Sequence, residues 1–310
     1  MNKLKVVVTG GAGFIGSHIV EHWIKAGAEV HILDNLRTGF LSNVNMFPHA
    51  VFHNVSVTER EKVFSILENT DYVHHLAAMI SVPESVDKPH ECVEININGL
   101  LNVLDACKEN GVKKIVFSSS AAIYGENPES PKKIDMNPQP KSPYGITKLD
   151  GEYYLKMYNE QYNLGAVSLR YFNVFGPRQD PKSQYAAAIP IFIEKALKDE
   201  SITIYGDGEQ TRDFIYVKDV VKANVLAATN NNVNGVFNVA LGASSSINEI
   251  AKGIVKTTQS NSEIVYKPER KGDIKHSLAN VSETTKELKF IPDFNLQSGL
   301  DLTIDYFRNK

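Results

Sequence analysis

Residues 5–16 read KVVVTGGAGFIG, and this stretch decides the fold. Its apolar run, Lys5–Thr9, predicts a buried strand, and the pattern after the glycines predicts a helix. Gly10, Gly13 and Gly16 allow a tight turn, close approach of the backbone to a pyrophosphate and close packing of the helix on the strand. The first amides of the helix would point toward such a phosphate. The stretch therefore predicts a dinucleotide-binding unit, and a tight turn that binds nothing is the alternative.

Asp34 ends the next predicted strand, 18 residues after Gly16. Its carboxylate is placed to accept hydrogen bonds from an adenosine ribose and to repel a 2′-phosphate, which favours NAD over NADP. Arg37 follows three residues later. It either weakens this preference or is a solvated loop arginine.

The rest of the N-terminal half alternates short apolar runs with helical patterns, which indicates a parallel sheet with right-handed crossovers. The predicted strands are Glu29–Asp34, Val51–Val55, Asp71–Leu76, Lys114–Ser119 and Ala166–Tyr171, and the predicted helices are Gly13–Ala26, Cys92–Asn110 and Tyr144–Tyr162. A loop with five prolines between positions 128 and 143 follows the carboxyl end of one strand. Sheets of this kind bind ligands at that end of their strands.

After Pro177 the predicted elements become short and scattered. The strands are Thr203–Tyr205, Asp213–Tyr216 and Val236–Val239, and the helices are Ala187–Lys198, Val217–Thr229 and Ile247–Thr258, the last opened by a capping box of Ser246 and Glu249. We predict an α/β fold with a Rossmann-like, doubly wound parallel sheet in residues 1–175, which a strand near 235–240 rejoins. A smaller mixed α/β domain in residues 176–310 is predicted to bind the substrate.

Composition and charge exclude several classes of protein. The 310 residues carry a net charge of −3 with a pI of about 6.3, so no basic field attracts nucleic acid. We see no secretory segment and no apolar run long enough to cross a bilayer, and therefore expect a cytoplasmic protein with no membrane partner. Cys92 and Cys107 match no zinc or redox spacing, and the adjacent His74 and His75 point to opposite faces of a strand. We predict no metal site.

Tyr144 and Lys148 lie four residues apart in the stretch KSPYGITK. Ser142 is suited to cap a helix and Pro143 to occupy its first position, so both side chains would project from one face. An adjacent ammonium favours the phenolate of a tyrosine, whose free pKa is ~10, and prepares it for proton transfer near neutral pH. Ser120, at a strand end, adds a hydroxyl. These three are the candidate catalytic residues.

The glycine loop, Ser120 and the Tyr144/Lys148 pair together resemble the extended short-chain dehydrogenase/reductase family over essentially the whole chain. Within it the chain is most similar to the UDP-hexose 4-epimerases, especially those acting on N-acetylated sugars. The segments that carry this resemblance are residues 76–83 (LAAMISVP), 169–173 (LRYFN), 179–181 (QDP), 206–208 (GDG), 212–214 (RDF) and 270–273 (RKGD). They are specific in combination.

The resemblance implies NAD as cofactor and a UDP-sugar as partner. The implied cofactor-binding residues are Gly10, Gly13, Phe14, Ile15, Gly16, Asp34, Asn35, Asn54, Val55, Leu76, Ala77, Ala78, Asn96, Ser118, Tyr144, Lys148 and Tyr171. The implied substrate-binding residues are Ser81, Val82, Ser120, Asn173, Ala187, Ala188, Thr203, Tyr205, Arg212, Arg270, Asp273 and Ser277. Arg212 and Arg270 would grip the diphosphate, because a guanidinium fork suits phosphate oxygens, and an ordinary salt bridge is the alternative for either.

Two positions depart from the family pattern. Asn54-Val55 replaces an Asp–Ile or Asp–Val pair that often touches adenine, and an amide can still pair with the adenine edge. Ala122 replaces a Ser or Thr, which removes one hydroxyl contact to the sugar.

The resemblance also implies a mechanism. Tyr144 removes the proton of the sugar 4-hydroxyl as hydride leaves C4 for NAD, and the 4-keto sugar then turns and is reduced on its other face. Sugar-nucleotide 4,6-dehydratases share the first oxidation but normally need an Asp–Glu pair where this chain has Ala121 and Ala122. The same gap argues against related decarboxylases. Uronate epimerases, other reductases and a non-catalytic NAD-sensing protein remain alternatives.

Substrate choice and assembly also follow from the resemblance. Ser277 corresponds to a position that borders the sugar C2 substituent, where serine leaves room for an acetamido group, as do Ala187 and Ala188. We predict interconversion of UDP-N-acetylglucosamine and UDP-N-acetylgalactosamine, with UDP-glucose and UDP-galactose left open; a surface-loop role is the alternative for Ser277. Residues 92–110 and 144–162 would form a four-helix interface, so we expect a homodimer.

Overall fold

The computed structural model describes residues 3–182, 187–269 and 275–310. Its strands are β1 (Lys5–Thr9), β2 (Glu29–Asp34), β3 (Val51–Asn54), β4 (Tyr72–His75), β5 (Lys114–Ser120), β6 (Gly165–Tyr171), β7 (Asn173–Phe175), β8 (Ile202–Tyr205), β9 (Thr211–Tyr216), β10 (Gly235–Val239), β11 (Ser244–Ser246) and β12 (Ile264–Lys267). Its α-helices are α1 (Phe14–Lys25), α2 (Leu41–Asn45), α3 (Arg60–Ile66), α4 (Val82–Asp87), α5 (Pro89–Val93), α6 (Gly99–Glu109), α7 (Pro143–Tyr162), α8 (Ala188–Ala196), α9 (Val217–Thr229), α10 (Ile247–Thr258), α11 (Ser282–Leu288) and α12 (Leu296–Arg308). A π-helical turn, Glu94–Asn98, joins α5 to α6, and a 3-10 turn, Ala121–Tyr124, follows β5.

Seven parallel strands form the central sheet in the order β10-β6-β5-β4-β1-β2-β3. Because successive side chains of a strand point to opposite faces, Val7 packs with α3, α6 and α7, whereas Val6 and Val8 pack with α1 and α9. The chain reverses its direction of winding between β1 and β4. A sheet wound in this way opens a crevice there, at the carboxyl ends of its strands. The predicted doubly wound α/β fold is confirmed.

The C-terminal elements add two smaller sheets. β10 pairs with β6, with Phe237 opposite Leu169, so the strand predicted to rejoin the main sheet does so. β9 pairs antiparallel with β11 and parallel with β7, and β12 pairs with β8. A second core around Ile193, Ile250 and Ile304 joins α8, α10 and α12 to these strands. The boundary between residues 175 and 176 stays our proposal.

The sequence predicts two helices near the crevice, over residues 92–110 and 144–162, and the structure describes both. The helix predicted over Cys92–Asn110 begins earlier, at Pro89, and the π-helical turn interrupts it. Such turns commonly occur at functional sites. The predicted stop is confirmed, since Asn110 follows α6 and Gly111 has a φ of 67°. The start of α7 is also confirmed, because Ser142 Oγ accepts a hydrogen bond from the Gly145 amide.

The histidines and cysteines singled out in the sequence belong to the core. Trp23 Nε1 donates to His74 Nε2 at 2.8 Å, and His75 Nδ1 lies 2.9 Å from Thr9 Oγ1. Burial lowers the pKa of His74 to about 4 and of His75 to about 3, so both rings are neutral. The described part of the chain holds no group of three His, Cys, Asp or Glu that could bind a metal ion. Within the same ranges, no helix combines the length and apolarity needed to cross a bilayer.

Candidate active site

The glycine loop forms a cradle between β1 and α1. Gly10 has a φ of 70°, and a Cβ there would lie 2.8 Å from the Ala77 amide nitrogen. A Cβ on Gly16 would lie 2.2 Å from the Gly10 carbonyl oxygen, so α1 approaches the loop only because residue 16 is glycine. Among the described residues, no side chain caps α1 at Gly13, which leaves its first amides available to an anion. This cradle fits the pyrophosphate of a dinucleotide.

Replacing Gly16 by alanine is expected to disrupt this cradle. The added Cβ would meet backbone atoms, which cannot yield as a flexible side chain does. We expect the free energy of unfolding to fall by about 1–3 kcal/mol and the bound dinucleotide to be lost. Urea unfolding and the amount of nucleotide that copurifies measure the two effects. Gly253→Ala is the matched control, because its Cβ on α10 meets nothing within 4 Å; equal losses in both variants would contradict the steric explanation.

Asp34 ends β2, and its side chain is buried, as expected of a residue that binds the adenosine ribose. Its Oδ2 accepts a hydrogen bond from the Ala12 amide at 3.0 Å, and its Oδ1 accepts one from the Leu36 amide at 2.8 Å. Burial raises the pKa of Asp34, and the two backbone hydrogen bonds oppose the rise. The carboxylate therefore ties the glycine loop to the loop after β2, and its remaining lone pairs can accept ribose hydroxyls. Asn35 and Asn54 are exposed nearby at the ends of β2 and β3.

The sequence left two interpretations of Arg37, a residue that weakens the preference for NAD or a solvated loop arginine. The structure shows a third arrangement. Its Nη2 lies 2.9 Å from Glu84 Oε1 and 2.8 Å from Glu91 Oε1. The arginine is therefore not merely a solvated loop residue, since it bridges the loop after β2 to α4 and α5. Both ion pairs go through Nη2.

The three candidate catalytic side chains meet at the carboxyl end of β5. Ser120 ends this strand, and its Oγ accepts a hydrogen bond from the Ala122 amide at 3.1 Å. Lys148 on α7 donates from Nζ to the Ser118 carbonyl oxygen at 2.7 Å and lies 5.7 Å from the centroid of the Tyr144 ring. The Tyr144 phenol hydrogen-bonds the Ser120 hydroxyl, which opposes the rise of its pKa. The arrangement brings a phenol, an amine and a hydroxyl to one point.

The pKa shifts at this point correct one prediction. Burial raises the pKa of Tyr144 above its usual value of 10.0, so the phenol is neutral. Burial also lowers the pKa of Lys148 from 10.5 to about 8. The prediction that the ammonium makes the phenol acidic is wrong for this state, because desolvation penalises both charged forms. With a pKa of about 8, Lys148 is still mostly an ammonium at pH 7, and its hydrogen bond goes to the Ser118 carbonyl rather than to the phenol.

Asn96, on the π-helical turn, fixes the loop after β4 that carries Leu76, Ala77 and Ala78. Its Oδ1 accepts from the Met79 amide at 2.7 Å, and its Nδ2 donates to the Met79 carbonyl at 3.1 Å. The same Nδ2 lies 3.0 Å from Thr147 Oγ1 on α7. The side chain thus acts on the crevice by shaping its wall.

Ser85 is a positioning residue that the sequence analysis missed. Its hydroxyl is fully buried on α4 and accepts a hydrogen bond from the Tyr144 amide at 3.1 Å. Ser81 caps the same helix by accepting from the Glu84 amide, and Val82 at its start is exposed. α4 therefore supports the N-terminus of α7 and, with it, the candidate catalytic tyrosine. No local pattern indicates this contact, because the partners are 59 residues apart.

Glu152 is a second missed residue, one turn beyond Lys148. It accepts from Ser119 Oγ at 2.5 Å and from Arg170 Nε and Nη2 at 2.9 and 2.8 Å. Arg170 in turn donates to the Tyr124 hydroxyl at 2.8 Å. All of these side chains are buried, so the ion pair is fully hydrogen-bonded as buried charges require. This ion pair fixes α7 against β5, and it therefore holds the Lys148 amine near the carboxyl end of β5.

Two further predicted residues lie at the ends of β6 and β7. The Tyr171 hydroxyl accepts a hydrogen bond from Ser118 Oγ and lies 3.0 Å from Asn224 Oδ1. Burial raises the pKa of Tyr171 to about 12, so this phenol keeps its proton. Asn173 Nδ2 donates to the Asp213 carbonyl at 3.1 Å. Tyr171 and Ser118 thus form a hydrogen-bonded wall beside the strand end.

The predicted substrate residues are spread over the smaller part of the fold. Arg212 Nη1 donates to the Thr211 carbonyl at 2.9 Å, and the Ser277 amide donates to the same oxygen at 3.1 Å. The structure therefore brings Arg212 and Ser277 together at the start of β9. Thr203 and Tyr205 lie on β8, and Ala187 and Ala188 lie at the start of α8. A cavity of about 240 Å³ lies in the same part of the fold, and the residues that line it include Gly206, Asp207, Gln210, Glu269 and Lys275. Arg270 and Asp273 lie outside the described residues.

A doubly wound sheet, a glycine cradle and a Ser–Tyr–Lys set at a strand end together define a dinucleotide-dependent enzyme of the short-chain dehydrogenase/reductase type. A sequence profile of the NAD dependent epimerase/dehydratase family matches residues 6–240. The chain belongs to this family, which confirms the predicted family and the NAD cofactor.

Three relatives refine the comparison. The solved UDP-N-acetylglucosamine 4-epimerase of Methanobrevibacter ruminantium M1, in complex with UDP-N-acetylmuramic acid, is 48% identical with a TM-score of 0.95 and covers 99% of both chains. The putative UDP-glucose 4-epimerase of Methanocaldococcus jannaschii is 40% identical over 98% of this chain and 99% of its own. The UDP-N-acetyl-alpha-D-glucosaminuronate decarboxylase of Bacillus cytotoxicus is 33% identical over 99% of this chain and 98% of its own.

Proposed function

We propose that this chain is a UDP-hexose 4-epimerase that interconverts UDP-N-acetylglucosamine and UDP-N-acetylgalactosamine. The observation that carries the proposal is the pair of half-buried Tyr144 and buried Lys148 beside Ser120, in a crevice whose glycine loop fits a dinucleotide. The relatives named as 4-epimerases support it over the full length of the chain.

The residues of the crevice would bind the cofactor and transfer the proton of the sugar hydroxyl. Gly10, Gly13 and Gly16 would hold the pyrophosphate of NAD and Asp34 its adenosine ribose, and the bound cofactor would supply a hydride acceptor, a hydride donor and a positive charge. Tyr144 would take the proton of the sugar 4-hydroxyl and return it on the opposite face.

Lys148 supports that proton transfer only while it is an ammonium, since only a positive charge favours the phenolate. Ser120 would hydrogen-bond the reacting oxygen. In the substrate half, Arg212 would anchor the diphosphate, so that the nucleotide stays in place while the sugar turns.

Elimination of water and decarboxylation are the competing reactions. Decarboxylation is considered because one relative of the chain is named as a decarboxylase. A 4,6-dehydratase normally needs an acid and a base directly after the strand-end hydroxyl. Here Ala121 and Ala122 occupy those places in the 3-10 turn, and a methyl group transfers no proton. We therefore favour inversion at C4 over loss of water or of carbon dioxide.

A panel of UDP-sugars incubated with the purified protein and no added NAD tests the proposal. Conversion of UDP-N-acetylglucosamine to UDP-N-acetylgalactosamine is the expected result. A 4-keto-6-deoxy product would indicate a dehydratase, a pentose product from a UDP-uronate would indicate a decarboxylase, and a protein that binds NAD but converts nothing would be a sensor. UDP-glucose and UDP-N-acetylmuramic acid belong in the panel, the latter because a relative was solved with it.

Ser277→Tyr is expected to narrow the sugar pocket. Ser277 is half-buried beside Arg212, and a tyrosine would fill the space that we assign to an acetamido group. We expect kcat/KM for the N-acetylated sugars to fall by about 10- to 100-fold and that for UDP-glucose to change by less than about threefold. Ser277→Ala is the matched control. Equal effects on both sugar classes would contradict the pocket assignment.

We also propose that the chain forms a homodimer through the two segments predicted from the sequence, residues 92–110 and 144–162, with α4 packed beside them. These helices pack together and expose large apolar side chains, with Val86 57%, Ile146 47% and Tyr153 59% exposed. An apolar face of this kind is typical of an interface. Sedimentation at micromolar concentration would show a two-chain mass, and a one-chain mass would contradict the proposal.

A further inference from the structure

We infer that Glu84 and Glu91 strengthen the preference of this chain for NAD over NADP, by holding Arg37 away from the adenosine 2′-position. The inference rests on the NAD site of the proposed function. It assigns a role to two residues that do not belong to the cofactor-binding loop itself. Glu84 lies on α4 and Glu91 on α5, the two helices after β4.

The contacts form a bridge between the loop after β2 and the helices α4 and α5. Arg37 Nη2 makes both ion pairs, at 2.9 Å to Glu84 and 2.8 Å to Glu91. Lys88 lies between the two carboxylates, with Nζ 3.5 Å from Glu84 Oε1 and 3.7 Å from Glu91 Oε2. The Glu84 carboxylate is itself positioned, because α4 is fixed by the Ser81 cap and by the hydrogen bond that Ser85 accepts from the Tyr144 amide on α7.

Arg37 is the cation of the loop after β2 that follows Asp34 most closely. An arginine at this place is suited to a 2′-phosphate, because its guanidinium binds phosphate oxygens in a fork and a phosphate monoester carries about −1.5 to −2 charges. Bound to two carboxylates through Nη2, the guanidinium is held toward α4 and α5, and the two negative charges offset much of its attraction for a phosphate. The two glutamates and Asp34 also outnumber the two cations of the cluster, so a further anion would be repelled.

A 2′-phosphate of NADP would therefore gain full stabilisation from Arg37 only if the arginine left both glutamates, whereas NAD has no 2′-phosphate and needs no such change. Preference for NAD would then come from two sources, the repulsion by Asp34 and the commitment of Arg37. Removing the glutamate charges should abolish the second source and leave the first. The expected change is thus a partial loss of discrimination rather than a reversal.

The test is equilibrium competition between the two cofactors. The purified protein is incubated with equal concentrations of NAD and NADP until the bound ratio is constant, freed of unbound nucleotide and assayed by chromatography. In the double variant Glu84→Gln/Glu91→Gln, we expect the bound NADP:NAD ratio to rise by about tenfold or more over wild type. Each single variant should give an intermediate rise, which keeps the test informative if the double variant folds poorly.

Two controls isolate Arg37. Asp87→Asn/Glu94→Gln removes two charges from the same segment without removing an Arg37 ion pair, and should leave the ratio within about twofold of wild type. Adding Arg37→Ala to the double variant should cancel the gain. An unchanged ratio in Glu84→Gln/Glu91→Gln, or an equal gain in the control, overturns the inference while NAD still binds. A wild type that binds neither nucleotide overturns the proposed function instead.

Discussion

Tyr144→Phe is expected to lower kcat for C4 epimerisation by about 10³-fold or more while leaving the content of bound NAD unchanged. The substitution removes one oxygen, and that oxygen is the group that would exchange a proton with the sugar 4-hydroxyl. The backbone of residue 144 stays fixed, because its amide donates to Ser85 and its carbonyl accepts from Thr147. The fold and the crevice should therefore survive, and the loss should be chemical.

Steady-state kinetics and the nucleotide released on denaturation measure the two parts of this prediction. Tyr153→Phe is the matched control, since Tyr153 lies on the same helix but is 59% exposed. Retention of more than about a tenth of wild-type kcat in Tyr144→Phe would end the assignment of the proton-transfer group.

Lys148→Met is expected to have two opposite effects, a fall in kcat of about 10²-fold and a rise in the free energy of unfolding at pH 7 of about 1–2 kcal/mol. The fall follows because methionine supplies no charge to favour the phenolate. The rise follows because the native state at pH 7 holds a buried ammonium whose pKa is lowered from 10.5 to about 8, which costs about 3 kcal/mol. Loss of the hydrogen bond to the Ser118 carbonyl offsets part of that gain.

The sign of the pH dependence tests the origin of this gain. Above pH 8 the native lysine releases its proton, whereas the unfolded lysine keeps its proton up to about 10.5, so wild type gains stability as the pH rises between these values. The advantage of Lys148→Met should therefore shrink by about pH 9.5. Urea unfolding at both pH values, in the same cofactor state, measures it. Lys156→Met, an exposed change on the same helix, should show no such dependence, and a constant advantage for Lys148→Met would contradict the burial argument.

Local patterns were sufficient for much of the fold. The glycine loop, Asp34 and the capping box of Ser246 and Glu249 each depend on residues close in sequence, and the capping box forms as predicted. The strands of the central sheet are apolar runs separated by helical patterns, which indicated a parallel sheet, but their order in the sheet comes from the structure alone. The short strands β7, β11 and β12 were missed, because a run of three or four half-exposed residues carries no distinct period.

The site was predictable in its residue types but not in its supports. Ser120, Tyr144 and Lys148 were found from one helix start and one strand end. Arg37 and Glu84 are 47 residues apart, so neither position alone indicates the other. The pKa prediction for Tyr144 failed for a related reason: proximity of the amine can be read from an i, i+4 spacing, whereas burial arises only when α7 packs on β5.

The most direct test of the central claim follows the hydrogen at the sugar C4. UDP-N-acetylglucosamine labelled with deuterium at C4 is incubated with the purified protein without added cofactor, and the UDP-N-acetylgalactosamine formed is analysed by mass spectrometry and NMR. If the crevice around Tyr144 oxidises and reduces C4 within one turnover, the product retains its deuterium at C4. Loss of the label to solvent, or a product deoxygenated at C6, would contradict the account.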